Sequence, residues 1–319
     1  MYDDIIPESI RRIFSMNLRR IISCLNLDYD KLQEIRLRSN QPLIVLYDNH
    51  EYFVEEGRGL TFNQEKAYIV KISEMKETME YVSNYSLYAF EEELRQGYIT
   101  VMGGHRVGLS GKVIMESSRI KTIKYISCMN IRFAHEIIGC SDGIMRYLFR
   151  NGSIYEGVCN TLIISPPACG KTTLLRDIIR NLSSGEEGIN VGVVDERSEI
   201  AACYLGVPQN DVGIRTDVLD ACPKALGITM LIRTMSPKVI AVDEVGSERD
   251  MEAIRTGINC GCAFLGTAHG KTIGDMLKKP FYKKMIAEGI FERFILLDRT
   301  PEICTVTAIL DDKLKDVYG

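Results

Sequence analysis

Lys171 and Thr172 close the stretch "SPPACGKTT", Ser165 to Thr173, which follows the apolar run "TLII" and opens a segment of helical spacing. A lysine and a small hydroxyl residue at the mouth of a helix suit one kind of chemistry. Backbone N–H groups from Ala168 to Thr173 would converge on an anion, helped by the positive end of the helix dipole. Lys171 would then neutralise the outer phosphates of a nucleoside triphosphate, and the Thr172 hydroxyl would coordinate Mg2+. Gly170 is expected to leave room for the phosphate, which a side chain there would block. Pro166, Pro167 and Cys169 complete the loop. Ser165 stands where such a loop usually begins with glycine; it is small enough, at some strain if its φ is positive.

Hydrolysis needs more than a cradle, and three further stretches carry suitable groups. "VIAVDEVG" is an apolar run ending in Asp243 and Glu244. Open α/β sheets collect their chemistry at such C-terminal strand edges. Asp243 would complete the Mg2+ shell, and Glu244 would polarise the attacking water. "VGVVDERSEI" offers a second acidic pair, Asp195 as a metal ligand and Glu196 as a catalytic carboxylate. Either Glu196 or Glu244 could be the main base. His269, in "FLGTAHGKT", could donate as a neutral imidazole to the terminal phosphate and report its loss.

The elements that must position these groups are legible as short apolar runs alternating with helical segments from Thr161 onward: "TLIIS", "INVGVVD", "KVIAVD", "CAFLGTA" and "RFILL". Runs of this kind suit a parallel sheet covered on both faces, so residues 151–319 read as an α/β domain. "VTAILDDKLKDVYG" adds a last strand and hairpin. The chain before it has another character. Met1 to about Leu27 has helical spacing. "LQEIRLRSNQPLIVLYDNHEYFV" reads as three short antiparallel strands, and Gln64 to Gln96 as largely helical up to a cap at Gly97. "GYITVMGGHRVGLSGKVIM" reads as strand, Gly-Gly turn, strand, Gly111 and a further strand, with another at Ser127–Arg132. Residues 1–138 are therefore expected to form an α+β antiparallel-sheet domain, joined by a linker over 139–150.

Bulk properties narrow the function classes. At 319 residues the chain can bury two cores, and its net charge of −4 offers no general attraction for nucleic acid. The ten cysteines include no pair at zinc-ligand spacing, and free thiols at this density suit a reducing compartment. No run approaches the roughly 18 apolar residues that span a bilayer. The expectation is a cytoplasmic protein, or one held at a membrane through partners.

The order of these motifs resembles the ATPases of type II and type IV secretion and pilus retraction. The phosphate loop stands at the Walker A motif of that family, "VVDERSEI" at its Asp box, "IRTMSPKVIAVDEV" at its Walker B motif and "AFLGTAHGKT" at its His box. "LQEIRLRSNQPLIV" and "GHRVGLSG" are similar to its amino-terminal sheet domain. The likeness is closer to a sporulation branch of that family, carried above all by "YAFEEELRQGYITVMGGHRVGLSGK". Ser165 and Cys169 depart from the family pattern. The resemblance implies a RecA-like P-loop NTPase domain behind the sheet domain, ATP and Mg2+ as ligands, and a hexameric ring with nucleotide at subunit boundaries. It implies arginines reaching the terminal phosphate from a neighbour: Arg106 or Arg132 from the sheet domain, with Arg215 and Arg233 as further choices. It also implies a place in the mother-cell cytoplasm, powering a channel to the forespore and peripheral to the membrane through sporulation membrane proteins. A nucleotide-gated scaffold with negligible turnover, and a nucleic-acid translocase on the same fold, are the other two readings of these motifs.

Overall fold

The computed structural model describes residues 6–86, 90–116, 118–300 and 302–318. The chain separates into two compact units, residues 1–135 and 136–319.

The first unit is built on a sheet whose every pairing is antiparallel. Its strands are β1 (Leu32–Arg38), β2 (Ile44–Tyr47), β3 (His50–Glu55), β4 (Gly59–Thr61), β5 (Tyr98–Val101), β6 (His105–Glu116) and β7 (Arg119–Arg132). They lie in the order β4-β3-β2-β1-β7-β6-β5. Period-two alternation puts Ile35, Leu37, Val107, Leu109, Met129 and Ile131 in the core. The intervening residues place Arg106 directly opposite Arg132 across the β6–β7 ladder. The helices are α1 (Glu8–Arg11), α2 (Met16–Ser23), α3 (Ile72–Val82) and α4 (Glu91–Gln96).

Two expectations are corrected in this unit. The amino-terminal helical stretch is broken in two, because the Ser15 hydroxyl caps a new helix by accepting from the Leu18 amide; residues 1–5 of that stretch lie outside the described residues. α-Helix is found at 72–82 and 91–96, with a single 3-10 turn at Gln64–Lys66, and not at 67–71, where Tyr68 and Val70 donate their amides to Val54 and Gln41 beside the sheet. Residues 87–89 of the expected helix are outside the described residues. Gly97 ends α4 in the left-handed conformation, φ 85°, as the cap signal indicated. The strand through Gly111 is continuous, with register shifts between Ser110 and Lys112 and between Ile114 and Met115.

The second unit contains β8 (Thr161–Ser165), α5 (Lys171–Ser183), β9 (Val191–Asp195), β10 (Thr216–Asp220), α6 (Lys224–Thr234), β11 (Val239–Val242), α7 (Glu248–Asn259), β12 (Ala263–His269), α8 (Ile273–Lys278), α9 (Pro280–Ala287), β13 (Arg293–Asp298) and β14 (Thr305–Asp311). The sheet order is β10-β9-β11-β12-β8-β13-β14, parallel except for the edge strand β14. Successive residues of β8 feed opposite cores. Ile163 packs with Leu174, Leu175 and Ile178 of α5, while Leu162 and Ile164 pack with Phe264 and Phe294. Such two-sided burial is the reason the strands are continuously apolar. The stretch after residue 139 forms short 3-10 turns whose Ile144 and Leu148 are buried in the α5-side core.

Candidate active site

The loop Pro166–Gly170 joins the end of β8 to the first turn of α5, so the fold delivers Lys171 and Thr172 to the carboxyl edge of the sheet. Two residues of the loop have positive φ: Ala168 at 60° and Gly170 at 88°. Ser165 does not. It is fully buried at the end of β8, and its hydroxyl donates to the Pro166 carbonyl at 2.7 Å. The backbone strain expected of serine there is thus absent and falls on Ala168 instead. Gly170 is also required for a reason within the protein itself. A Cβ at its left-handed backbone would sit 2.4 Å from Cys304 Sγ and 2.7 Å from Ile303 Cγ2. The turn between β13 and β14 straps the loop in place, with the Cys304 amide donating to the Cys169 carbonyl at 3.1 Å.

Among the described residues, none of the backbone amides from Ala168 to Thr173 donates to a protein acceptor. Orphan donors at a helix start, beside a buried ammonium, are the requirement for holding phosphate oxygens. Pro167 and Ala168 are exposed, while Cys169 and Lys171 are buried. Burial pushes the Lys171 ammonium below the usual lysine range, with Asp243 and Glu244 pulling it back up.

β11 ends beside this loop and supplies the carboxylates. Thr172 Oγ1 donates to Asp243 Oδ2 at 2.6 Å, and the Thr267 hydroxyl of β12 donates to Asp243 Oδ1. The Glu244 amide donates to Thr267 Oγ1 at 2.9 Å, and Glu244 takes a left-handed φ of 53°. Among the described residues no group of three or more His, Cys, Asp or Glu side chains is set to hold a metal. Mg2+ commonly takes one or two protein oxygens and completes its shell with phosphate and water. The joined Thr172 and Asp243 oxygens are a donor set of that kind, so the residues fit a Mg-nucleotide.

His269 connects the lysine to the glutamate. Lys171 Nζ lies 3.1 Å from His269 Nδ1, and His269 Nε2 lies 2.6 Å from Glu244 Oε1. An ammonium can only donate, so Nδ1 accepts and the imidazole proton sits on Nε2, donated to the carboxylate. The other glutamate oxygen is held by Arg197, with Nη1 2.6 Å from Oε2. Burial opposes ionisation of Glu244, yet the His269 hydrogen bond and the Arg197 charge bring its pKa below the usual carboxylate range.

The second acidic pair has partners within its own unit. Asp195 is 1% exposed, and its two oxygens accept the amides of Glu199, Ile200 and Ala201 at 2.8 to 3.0 Å. It braces the following loop. Glu196 forms an ion pair with Lys224 of α6. The residue of this loop that reaches Glu244 is Arg197. Its setting among the acids of "DERSEI" makes it look like an ordinary loop charge, and its only sequence signal is that it lies within the Asp-box stretch.

The candidate arginines are distributed. Arg132 contacts Glu34 Oε1 at 3.3 Å, and the Arg106 guanidinium stacks 4.6 Å from the centre of the Tyr98 ring, both within the first unit. Arg215 donates to the carbonyls of Ser183 and Gly185 at the end of α5. Arg233 is exposed in the last turn of α6.

A family profile described as "Sporulation stage III, protein AA" matches residues 6–317. Stage III sporulation protein AA of Bacillus subtilis is 38% identical over 311 residues, a match covering 97% of this chain and 94% of that one. Among solved structures, the ATPase DotB of Legionella pneumophila superposes with a TM-score of 0.55 at 13% identity, covering 92% of this chain and 79% of that one. The pilus retraction motor PilT, solved with bound ADP, gives 0.54 at 14% identity, covering 83% and 74%. The architecture is that of the RecA-like secretion ATPases.

Proposed function

The chain belongs to the sporulation stage III protein AA family, and on that premise we propose that it is a Mg2+-dependent ATP hydrolase, a secretion-type motor of endospore formation. The observation that carries this reading is the unbroken path Lys171–His269–Glu244, with Thr172 and Asp243 joined beside it. The loop amides and Lys171 bind and neutralise the phosphates. Thr172 and Asp243 would hold Mg2+, which would supply neutralisation of phosphate charge. Glu244 accepts the proton of the attacking water, and its low pKa keeps it ionised to do so. The Nε2–H of His269 fixes the direction in which that carboxylate faces.

The remainder of the proposal rests on the family. Six copies form a ring, residues 136–319 supply the nucleotide site, and Arg106 or Arg132 completes it from a neighbour, with Arg233 as a further choice. The ring works in the mother-cell cytoplasm on sporulation membrane proteins and drives a channel. Among the described residues no helix is long and apolar enough to cross a membrane.

Phosphate release under Mg-ATP is the test. Wild type is expected to turn over, and Glu244→Gln to retain nucleotide while losing most of its rate, on the order of 10²-fold or more for a general base. Negligible release by folded wild type would overturn the motor and leave a nucleotide-gated scaffold.

A further inference from the structure

Glu244 is gripped at both oxygens, and only one of the two grips comes from a side chain singled out in the sequence. His269 takes Oε1. Oε2 is taken by Arg197, from a loop of a different strand, β9. That loop is anchored from three sides. Asp195 braces it by accepting three consecutive amides, and the Ser198 hydroxyl donates to Asp220 Oδ1 of β10 at 2.5 Å. From α5, Arg176 donates to the carbonyls of Ile200 at 2.6 Å and Glu199 at 2.8 Å. Arg176 sits one turn beyond Thr172 on the helix that starts at the phosphate loop. The loop is therefore tied both to the sheet and to the helix that opens at the lysine.

We propose that Arg197 is a positioning residue of the hydrolytic site, a cis arginine that holds the Glu244 carboxylate in the orientation required to receive a proton from water. The proposal rests on the reading of the site as an ATPase. Glu244 has a left-handed backbone, a conformation that persists where the surroundings hold it in place. His269 alone fixes one oxygen and leaves the carboxylate free to swing about that bond. A guanidinium on the second oxygen removes the swing. Because 63% of the Arg197 side chain is exposed, the loop rather than packing of the side chain supplies the constraint. The two acids that precede the arginine have other partners: Asp195 accepts the loop amides, and Glu196 pairs with Lys224.

The test has two arms. In the kinetic arm, Arg197→Gln should lower kcat by roughly 10- to 100-fold, the scale of a misplaced catalytic group, with KM for Mg-ATP within about twofold. Arg197→Lys, which keeps one charged donor, should recover part of the loss. A raised kcat would mean that the contact restrains the enzyme, and an intact kcat with a raised KM would mean that Arg197 binds nucleotide; either overturns the proposal. The second arm needs neither nucleotide nor turnover. In nitrogen-15-labelled, nucleotide-free protein, the guanidinium resonances of Arg197, assigned by their absence in Arg197→Gln, should show restricted rotation in wild type. Rotation should become faster in Glu244→Gln. Free rotation in wild type sinks the proposal. Should wild type release no phosphate at all, the motor reading falls, while this arm still decides whether the clamp exists.

Discussion

Replacing Gly170 by alanine tests how the phosphate loop is held. The new Cβ would meet Cys304 Sγ at 2.4 Å, Ile303 Cγ2 at 2.7 Å and the Cys304 amide nitrogen at 3.2 Å, on a backbone with φ 88°. The left-handed conformation costs an ordinary residue about 1–2 kcal/mol. Overpacking against the β13–β14 turn adds about 1–3 kcal/mol. The sum is roughly 2–5 kcal/mol, a large share of a typical folding free energy. For a domain of this size it corresponds to a loss of roughly 4–20 °C in Tm. The contact with sulfur can be isolated by a double-mutant cycle. In a Cys304→Ala background the closest obstacle is gone, so Gly170→Ala should cost less than in wild type by about 1 kcal/mol. Denaturant unfolding of the four proteins measures this. A Gly170→Ala change within about 0.5 kcal/mol of wild type, or strict additivity of the two substitutions, would refute the picture of a loop strapped by that turn.

Other perturbations have equally definite outcomes. Ser165→Gly removes the bond to the Pro166 carbonyl and loosens a buried strand end, so stability should fall by about 1–2 kcal/mol. Its affinity for Mg-ATP should barely change, because Ser165 does not have the positive φ that would call for glycine; a tenfold gain in affinity would contradict this. Asp195→Asn addresses pH. Burial pushes the Asp195 carboxyl up from 3.8 to about 6, Asp220 adding to the shift and the loop amides opposing it. A raised carboxylate pKa favours folding while protonated, so its contribution is full below about pH 4 and is lost as pH rises through about 6. Relative to Asp195→Asn, wild type should therefore lose about 3 kcal/mol of stability over that window. A difference that is flat with pH would contradict the assignment.

Much of the second unit was legible because a doubly covered parallel sheet demands apolar strands, and β8, β9, β11, β12 and β13 each carry one. β10 escaped notice. Its sequence, "TDVLD", carries two carboxylates and it lies at the edge of the sheet, only partly buried, so no apolar run marks it. The paired carboxylates marked two strand ends, but not which partners each side chain of the second pair would find. That depends on loop backbone: the amides of Glu199 to Ala201 capture Asp195, and Lys224, distant in sequence, captures Glu196. Arg197 was hidden for the same reason. Its role exists only because three anchors fold its loop back onto Glu244. The need for Gly170 was visible, but its contact with Cys304 was not, since Cys304 approaches it from 134 residues along the chain.

Calorimetric titration of folded protein with Mg-ATP, beside Lys171→Ala, tests the central claim most directly. Wild type should take up nucleotide with a dissociation constant on the order of 1 μM to 1 mM, and Lys171→Ala, of equal thermal stability to within a few degrees, should give no binding heat. Absence of heat from the wild type at millimolar nucleotide, or undiminished binding by the variant, would contradict it.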